Sequence, residues 1–407
     1  MNSENQDKIN IKKKKVLRRF IILIVALLLC ILAGLIYRSI TWNPVNTKYQ
    51  NASKRVLLKS IAWQLNHSFE IEKDPNELTD EDFAKIREFQ LSSKEITDLK
   101  LLEKCTNLGK LDMQCNRFPQ EAIPKWMIYM SKLGILDIPE RFSIDLSPIE
   151  KLINIYDIRT DGSWVNSIEP LKGLKNLERL NIHGTFVSDL EPLRNLVNLE
   201  FLWCNACKNI SNLEPLKGLV ALEELHFQNC IKITSLEPLR KLENITVLYL
   251  EGTGVSDLEP LKGLQNLEVL NLDKTQITDL EPLKKLSNLQ SLQIRHTNIS
   301  KLESLKNLMS LRELYLENTK VTDIEPIIGL INLKGINLSG LKINDFEPIR
   351  NLSNLSGLSL NRTQISDLEI FKELRNLKSL YIKDCENITD QQIEDLKKAL
   401  PELKIYR

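Results

Sequence analysis

The chain has 407 residues, with 55 Lys and Arg against 54 Asp and Glu, four His and seven Cys, for a formal net charge of +1. That near-balance conceals a split: eight basic residues among the first 38 outweigh Glu4 and Asp7 by +6 and leave −5 for the rest. A mildly acidic main body has no electrostatic reason to bind nucleic acid, and the cysteines are read without a zinc framework, so no metal or cofactor is expected.

Residues 1–19 form a basic tail that ends in Lys12-Lys-Lys-Lys-Val-Leu-Arg-Arg19. The 18 residues from Phe20 to Tyr37 are an apolar run just long enough to cross a hydrocarbon core as a helix. The basic flank keeps the N-terminus in the cytoplasm, which places the rest in the periplasm or extracellular space as a single-pass protein of the cytoplasmic membrane. Three other readings fit less well. A cleaved signal peptide wants a small-x-small site, for which Ala33-Gly34 is a poor match. A lipoprotein wants a small residue before its cysteine, but Leu29 precedes Cys30. A buried soluble helix leaves the basic block without a purpose. An uncleaved signal anchor is therefore expected over 20–37, followed by a polar linker over 38–54.

Residues 55–85 read as a helical cap. Val56, Leu57, Ile61, Ala62 and Leu65 make one apolar stripe, and Thr79 with Asp82 three positions on fits a helix start.

From residue 86 to 407 one phrase returns about every 22 residues. Ser188-Asp-Leu-Glu-Pro-Leu193 with Asn198-Leu199 recurs at Ser256–Leu261 with Asn266-Leu267, and at Thr278–Leu283 with Asn288-Leu289. A period of 20 to 29 containing Leu-x-x-Leu-x-Leu specifies a leucine-rich-repeat solenoid, an α/β fold. It carries a curved parallel β-sheet on the concave face and short 3₁₀ or turn segments on the convex face. Fifteen strand units are expected, starting at Ile86, Leu108 and Leu133 and then almost regularly from Ile155 to Leu400. The unit from Leu108 is stretched and contains Pro119, Pro124, Trp126, Met127, Tyr129 and Met130. These suit a local helix packed on the convex side, or an exposed aromatic knob.

After each strand comes Thr185, Thr253, Thr275, Thr297, Thr319 or Thr363, with Asn116 earlier and Cys207, Cys230 or Cys385 at the same place. This column of small polar groups is expected to satisfy backbone left free by the next coil. The cysteines suit small buried core positions, although Cys207 and Cys230 lie on adjacent coils and leave a disulfide open. Only six residues separate Pro192 from Leu199, which allows one 3₁₀ turn and no long helix. Ser304 and Ile370 replace that proline in two units. At the far end, Gln391–Ala399 reads as a helix and residues 400–405 as a last strand.

The phrase SDLEPLKGLxNLxxLxL in 22-residue units resembles the SDS22-like repeats of the bacterial internalin group, over residues 86–400. The resemblance implies a solenoid with capped ends. It carries no single partner, because the repeat serves many.

Alternate strand residues face outward. The middle outward column runs from Gln90 through Asp137, Arg159, Trp203, His226 and Tyr249 to Lys404; Tyr315 and Tyr381 stand in it as isolated aromatics. Arg179, Phe201, Val247 and Val269 belong to the neighbouring column, and His183, Glu251 and Asp273 to the third. Contiguous aromatics beside polar groups are the composition of a protein-binding hot spot, so these ten residues are the expected partner-binding set. Four scattered histidines, with no H-E-x-x-H, G-x-S-x-G or phosphate loop, point away from catalysis. The expectation is a non-catalytic interaction module with protein as partner and glycan as the other ligand class. A structural or self-associating envelope protein, or a cytoplasm-facing regulator of the phosphatase-binding type, are the competing readings.

Overall fold

The fold is that of a computed structural model, in which residues 43–69, 73–91, 98–114 and 143–407 are described. The chain divides into two compact units, 1–52 and 53–407. Of the first unit only 43–52 is described, and it is helical. The basic tail, the apolar run 20–37, Asn116 and the proline- and aromatic-rich stretch 117–130 lie outside the described residues. Among the described residues no helix is long and apolar enough to cross a membrane.

Unit 53–407 is a solenoid. Its strands are β1 (Glu88–Gln90), β2 (Lys110–Asp112), β3 (Asp157–Arg159), β4 (Arg179–Asn181), β5 (Phe201–Trp203), β6 (Glu224–His226) and β7 (Val247–Tyr249). They continue as β8 (Val269–Asn271), β9 (Ser291–Gln293), β10 (Glu313–Tyr315), β11 (Gly335–Asn337), β12 (Gly357–Ser359), β13 (Ser379–Tyr381) and β14 (Lys404–Tyr406). All fourteen pair in parallel and in chain order in one sheet. Each strand is three residues long because a coil needs only its central leucine inward there. Leu202, Leu225, Leu248 and Leu270 are fully buried, as are Leu199, Leu222 and Leu267 just before their strands. Burying one such side chain contributes about 1.5–3 kcal/mol, and the repeats join these residues into one continuous core.

Two features of the sheet bear on the expected strands. β2 pairs directly with β3; the strand expected from Leu133 falls outside the described residues. At the C-terminal end the register places Tyr406, not Lys404, opposite Tyr381. The last coil contains the helix Asp390–Ala399, and its strand therefore starts two residues later than a simple count from Leu400 gives. Tyr381 is thus not isolated: its ring stacks on Tyr406 at 4.5 Å and 9°.

The convex turns follow from Asp-Leu-Glu-Pro-Leu. Asp189 Oδ1 accepts the Glu191 amide at 2.8 Å, and Asp257 and Asp279 repeat the bond at 2.9 Å. Proline then enters the 3₁₀ turn where its missing amide costs nothing. Glu303–Leu305 and Glu369–Phe371 keep the same turn without it.

The coils are stitched by asparagine, a role the threonines had been expected to fill. Asn198 Nδ2 donates to the Lys175 carbonyl, Asn266 to Glu243, Asn288 to Gln265 and Asn332 to Met309, all at 2.8–3.0 Å and 23 residues apart. The threonines bond within their own coil: Thr185, Thr253 and Thr275 donate Oγ1 to the carbonyl three residues back at 2.6–2.7 Å. Thr319 Oγ1 is buried without a partner.

The cysteine positions differ. Cys207 Sγ reaches back to the Ile182 carbonyl and Cys230 Sγ to the Cys204 carbonyl, both at 3.0 Å. Both thiols are free, so the open disulfide between Cys207 and Cys230 is not formed. Cys204-Asn-Ala-Cys207 stands at C-x-x-C spacing, with both thiols buried and free. Burial pushes Cys207 up to about 11, Cys230 up to about 12 and Cys204 well above the ordinary thiol range, so these groups keep their protons. The extra residue in the Cys230 coil is accommodated by Gly254 in the next one. A Cβ there would meet Thr234 Cγ2 at 2.9 Å and the Ile233 carbonyl at 3.2 Å.

Both ends of the core are covered. α1 (Asn43–Phe69) runs through residues expected partly as linker and partly as cap, and in unit 53–407 it buries Leu57, Ile61 and Leu65 at i, i+4 and i+8. Val56 on the same helix is exposed. α2 (Asp80–Ala84) opens with a reciprocal capping box between Thr79 and Asp82, and Phe83 is buried behind it. α3 (Asp390–Ala399) opens with a second box, Thr389 with Gln392, and buries Leu396.

Candidate binding face

Outward side chains of adjacent strands meet at intervals of 22 or 23 residues, so the face is read column by column. In the middle column the register sets Asn181, Trp203, His226, Tyr249 and Asn271 side by side. In the neighbouring column it sets Arg179, Phe201, Glu224, Val247 and Val269 side by side. The structure therefore brings together most of the expected residues, and it adds Glu224 between Phe201 and Val247, which the sequence reading left out.

The rings form one continuous row. The Arg179 guanidinium lies 5.0 Å from the Phe201 centroid. Phe201 stacks on Trp203 at 5.6 Å and 13°, Trp203 meets His226 edge-on at 5.9 Å, and His226 tilts against Tyr249 at 4.7 Å. Each such pair contributes roughly 0.5–1.5 kcal/mol beyond area burial. The rings brace one another, and a braced ring binds with little loss of side-chain entropy. All four are partly exposed, as are Val247 and Val269.

Polar atoms in the row are incompletely satisfied. His226 Nε2 and Gln228 Oε1 are buried and hydrogen-bond to nothing, although both belong to the same strand region. The 3.5 Å contact from His226 Nε2 to Glu224 Oε2 lacks hydrogen-bond geometry. Nor is it an ion pair at neutral pH, because burial pushes His226 down to about 4. Folds rarely leave such atoms unpaired, at roughly 1–3 kcal/mol each.

The other expected residues stand differently. His183 is exposed, and its amide is held by Asn181 Oδ1 at 3.0 Å. Glu251 is tied to Lys274 Nζ at 2.7 Å. Asp273 is 2 % exposed, and its carboxylate is taken up by Arg295. Tyr315 donates its hydroxyl to Glu313 at 3.0 Å under Arg295, apart from the row. A recess of about 840 Å³ lies elsewhere, between α1 and the first strands, lined by Trp63, Gln64, Glu88, Gln90 and Lys110 among others. It opens widely to solvent and shares no residue with the row. Among the described residues no group of His, Cys, Asp and Glu could hold a metal ion.

The depressed His226 has a consequence for stability. The folded chain keeps the ring neutral down to about pH 4, whereas the unfolded chain protonates it near 6.5. The stability this ring contributes is therefore complete above about 6.5 and is lost as pH falls through about 4. The loss is on the order of 1–3 kcal/mol after allowance for solvent screening of a partly exposed ring. His226→Phe should flatten the decline of the denaturation midpoint between those two pH values; an unchanged decline would refute the assignment.

Comparison with known proteins agrees with this architecture. The family model for leucine-rich repeats (2 copies) matches residues 175–218, 220–263, 265–307 and 310–351. An internalin from Listeria monocytogenes superposes with a TM-score of 0.73 at 24 % identity, covering 86 % of this chain and 94 % of that one. A leucine-rich-repeat protein of Leptospira interrogans gives 0.61 at 20 % identity, covering 81 % and 97 %. A plant peptide hormone receptor in complex with its peptide gives 0.55 at 17 % identity, covering 74 % of this chain and 50 % of the receptor. No curated protein sequence matches. At these identities the likeness speaks for the fold, and the four matched segments speak for the repeat. Residues 175–351 thus carry four matches to the leucine-rich-repeat family model, and the fold has internalin-like structural neighbours.

Proposed function

We propose that the chain is a non-catalytic protein-binding module that takes its partner on the open face of the sheet, centred on Phe201, Trp203, His226 and Tyr249. Leucine-rich-repeat proteins are in general binding modules without catalysis, and no enzyme family matches. The observation that carries the reading is the continuous ring row. It is braced and partly exposed, and His226 Nε2 in it and Gln228 Oε1 just after it are buried polar atoms without partners. The plant receptor, whose complex contains a peptide ligand, shows that this architecture accommodates a polypeptide.

The placement proposed for the module is outside the cytoplasmic membrane. The apolar run 20–37 and its basic flank support it as an uncleaved anchor with the N-terminus inside. The acidic balance of the remainder supports protein over nucleic acid as partner.

Trp203→Ala in the full chain tests the binding site. The denaturation midpoint should fall only modestly, because the two ring pairs lost are worth about 1–3 kcal/mol together and no core cavity opens. Capture of partner proteins from an envelope extract should fall by tenfold or more, the usual size for a central aromatic anchor. Undiminished capture of the same proteins would place the site elsewhere.

A further inference from the structure

We propose that Glu224 is the seat for a basic side chain of the partner, so that the segment docking on the ring row presents an Arg or Lys between Phe201 and Val247, beside His226. This rests on the binding face proposed above and adds the chemistry of what lands there.

Glu224 stands in the middle of the row, with Phe201 on one side and Val247 on the other in register. Its side chain is only 32 % exposed. Burial, reinforced by the neighbouring Glu223, holds its carboxyl above the ordinary range. Other carboxylates on the face have partners of their own: Glu251 has Lys274, Asp273 has Arg295, Glu317 has Arg362, Asp157 has Arg159, and Glu313 accepts the Tyr315 hydroxyl. Among the described residues Glu224 meets only the neutral His226, without a hydrogen bond. The nearest cation along its column, Arg179, is two strands away over Phe201. A half-buried carboxylate without a counter-ion weakens the fold, and an incoming cation reverses that cost.

The flanking rings narrow the chemistry. A cation is drawn to an aromatic face, more strongly as water leaves, and Phe201 stands next to Glu224 in its column. A guanidinium can stack on a ring while its edge meets a carboxylate. Glu200 and Glu223 beside the row extend the negative field. An acidic or wholly apolar segment would cover Glu224 and leave it unpaired, which selects against such partners.

The test is selection from a random dodecapeptide library displayed on phage. The full chain, the chain carrying Glu224→Gln and the chain carrying Trp203→Ala are panned in parallel. The wild type should enrich peptides with Arg or Lys beside an aromatic or aliphatic residue. A synthetic winner should lose about tenfold in affinity to Glu224→Gln, and binding should weaken as salt rises from about 0.05 M to about 0.5 M. Peptides without a basic residue, winners indifferent to Glu224→Gln, or no enrichment at all would each overturn the proposal. Winners that ignore Glu224→Gln but are lost with Trp203→Ala would overturn it while leaving the ring row as the binding face. Winners that survive Trp203→Ala would remove that face as well.

Discussion

Phe227→Ala is expected to lower stability by about 3–5 kcal/mol, read as a large fall in the denaturation midpoint. Phe227 is fully buried and fills the third apolar position of its coil, directly after His226 in the chain. The equivalent positions in neighbouring coils hold Ile182, Cys204, Leu250 and Leu272, each fully buried. Cys204, the smallest of these, is the coil just before Phe227, and its amide bonds the carbonyl of His226 at 2.8 Å. A small side chain thus precedes the large one where these two coils meet, which is how a close-packed interior absorbs an oversized ring. Cys204→Leu alone should overpack the site and cost about 1–3 kcal/mol. Combined with Phe227→Leu it should cost less than the two single changes together, because the volumes offset. Additive losses would mean that the two side chains do not share a space. Because coils hold each other in sequence, Phe227→Ala should also loosen β6 and weaken binding through His226, whereas Trp203→Ala should weaken binding with the core intact.

Most of the fold was legible because the repeat is a physical constraint written once per coil. Leu202, Leu225 and Leu248 must point inward, Asp189 must cap its turn and Asn198 must reach the coil before it, so each recurs at its interval. What could not be read in this way are the exchanges between outward neighbours, which follow no period. Trp203, His226 and Tyr249 were legible as a row because all three are conspicuous at one position of the repeat. Glu224 was not, since a glutamate on a strand surface is ordinary until its lack of a cation is seen. The signal available in the sequence was the interval itself: a residue on the face meets whatever stands one coil on. Applied to Asp273 it finds Arg295, 22 residues later. The last strand escaped for a different reason. A capping helix inside the final coil changes its length, and counting alone then points to Lys404 where the sheet pairs Tyr406.

Asp273→Ala should cost about 3–5 kcal/mol, the range for removing one partner of a buried pair, with the lower end expected because Arg295 retains some solvent. Its carboxylate accepts the Arg295 amide at 2.6 Å and Arg295 Nε at 2.7 Å, while its own amide is held by Asn271 Oδ1 at 2.9 Å. Removal leaves an amide and a guanidinium uncompensated near the core, with Gln293 Oε1 the remaining bond to Arg295 Nη2. Asp273→Asn should lose less, since an amide oxygen can still accept one of the two bonds. The same pair of variants separates support from contact. If Asp273 touched the partner, as its place in an outward column suggests, Asp273→Ala would abolish capture with an unchanged midpoint. The proposed face predicts the opposite: the midpoint falls, and the fraction still folded captures partner like the wild type, because the carboxylate is held by Arg295 and the ring row lies on the strands before it.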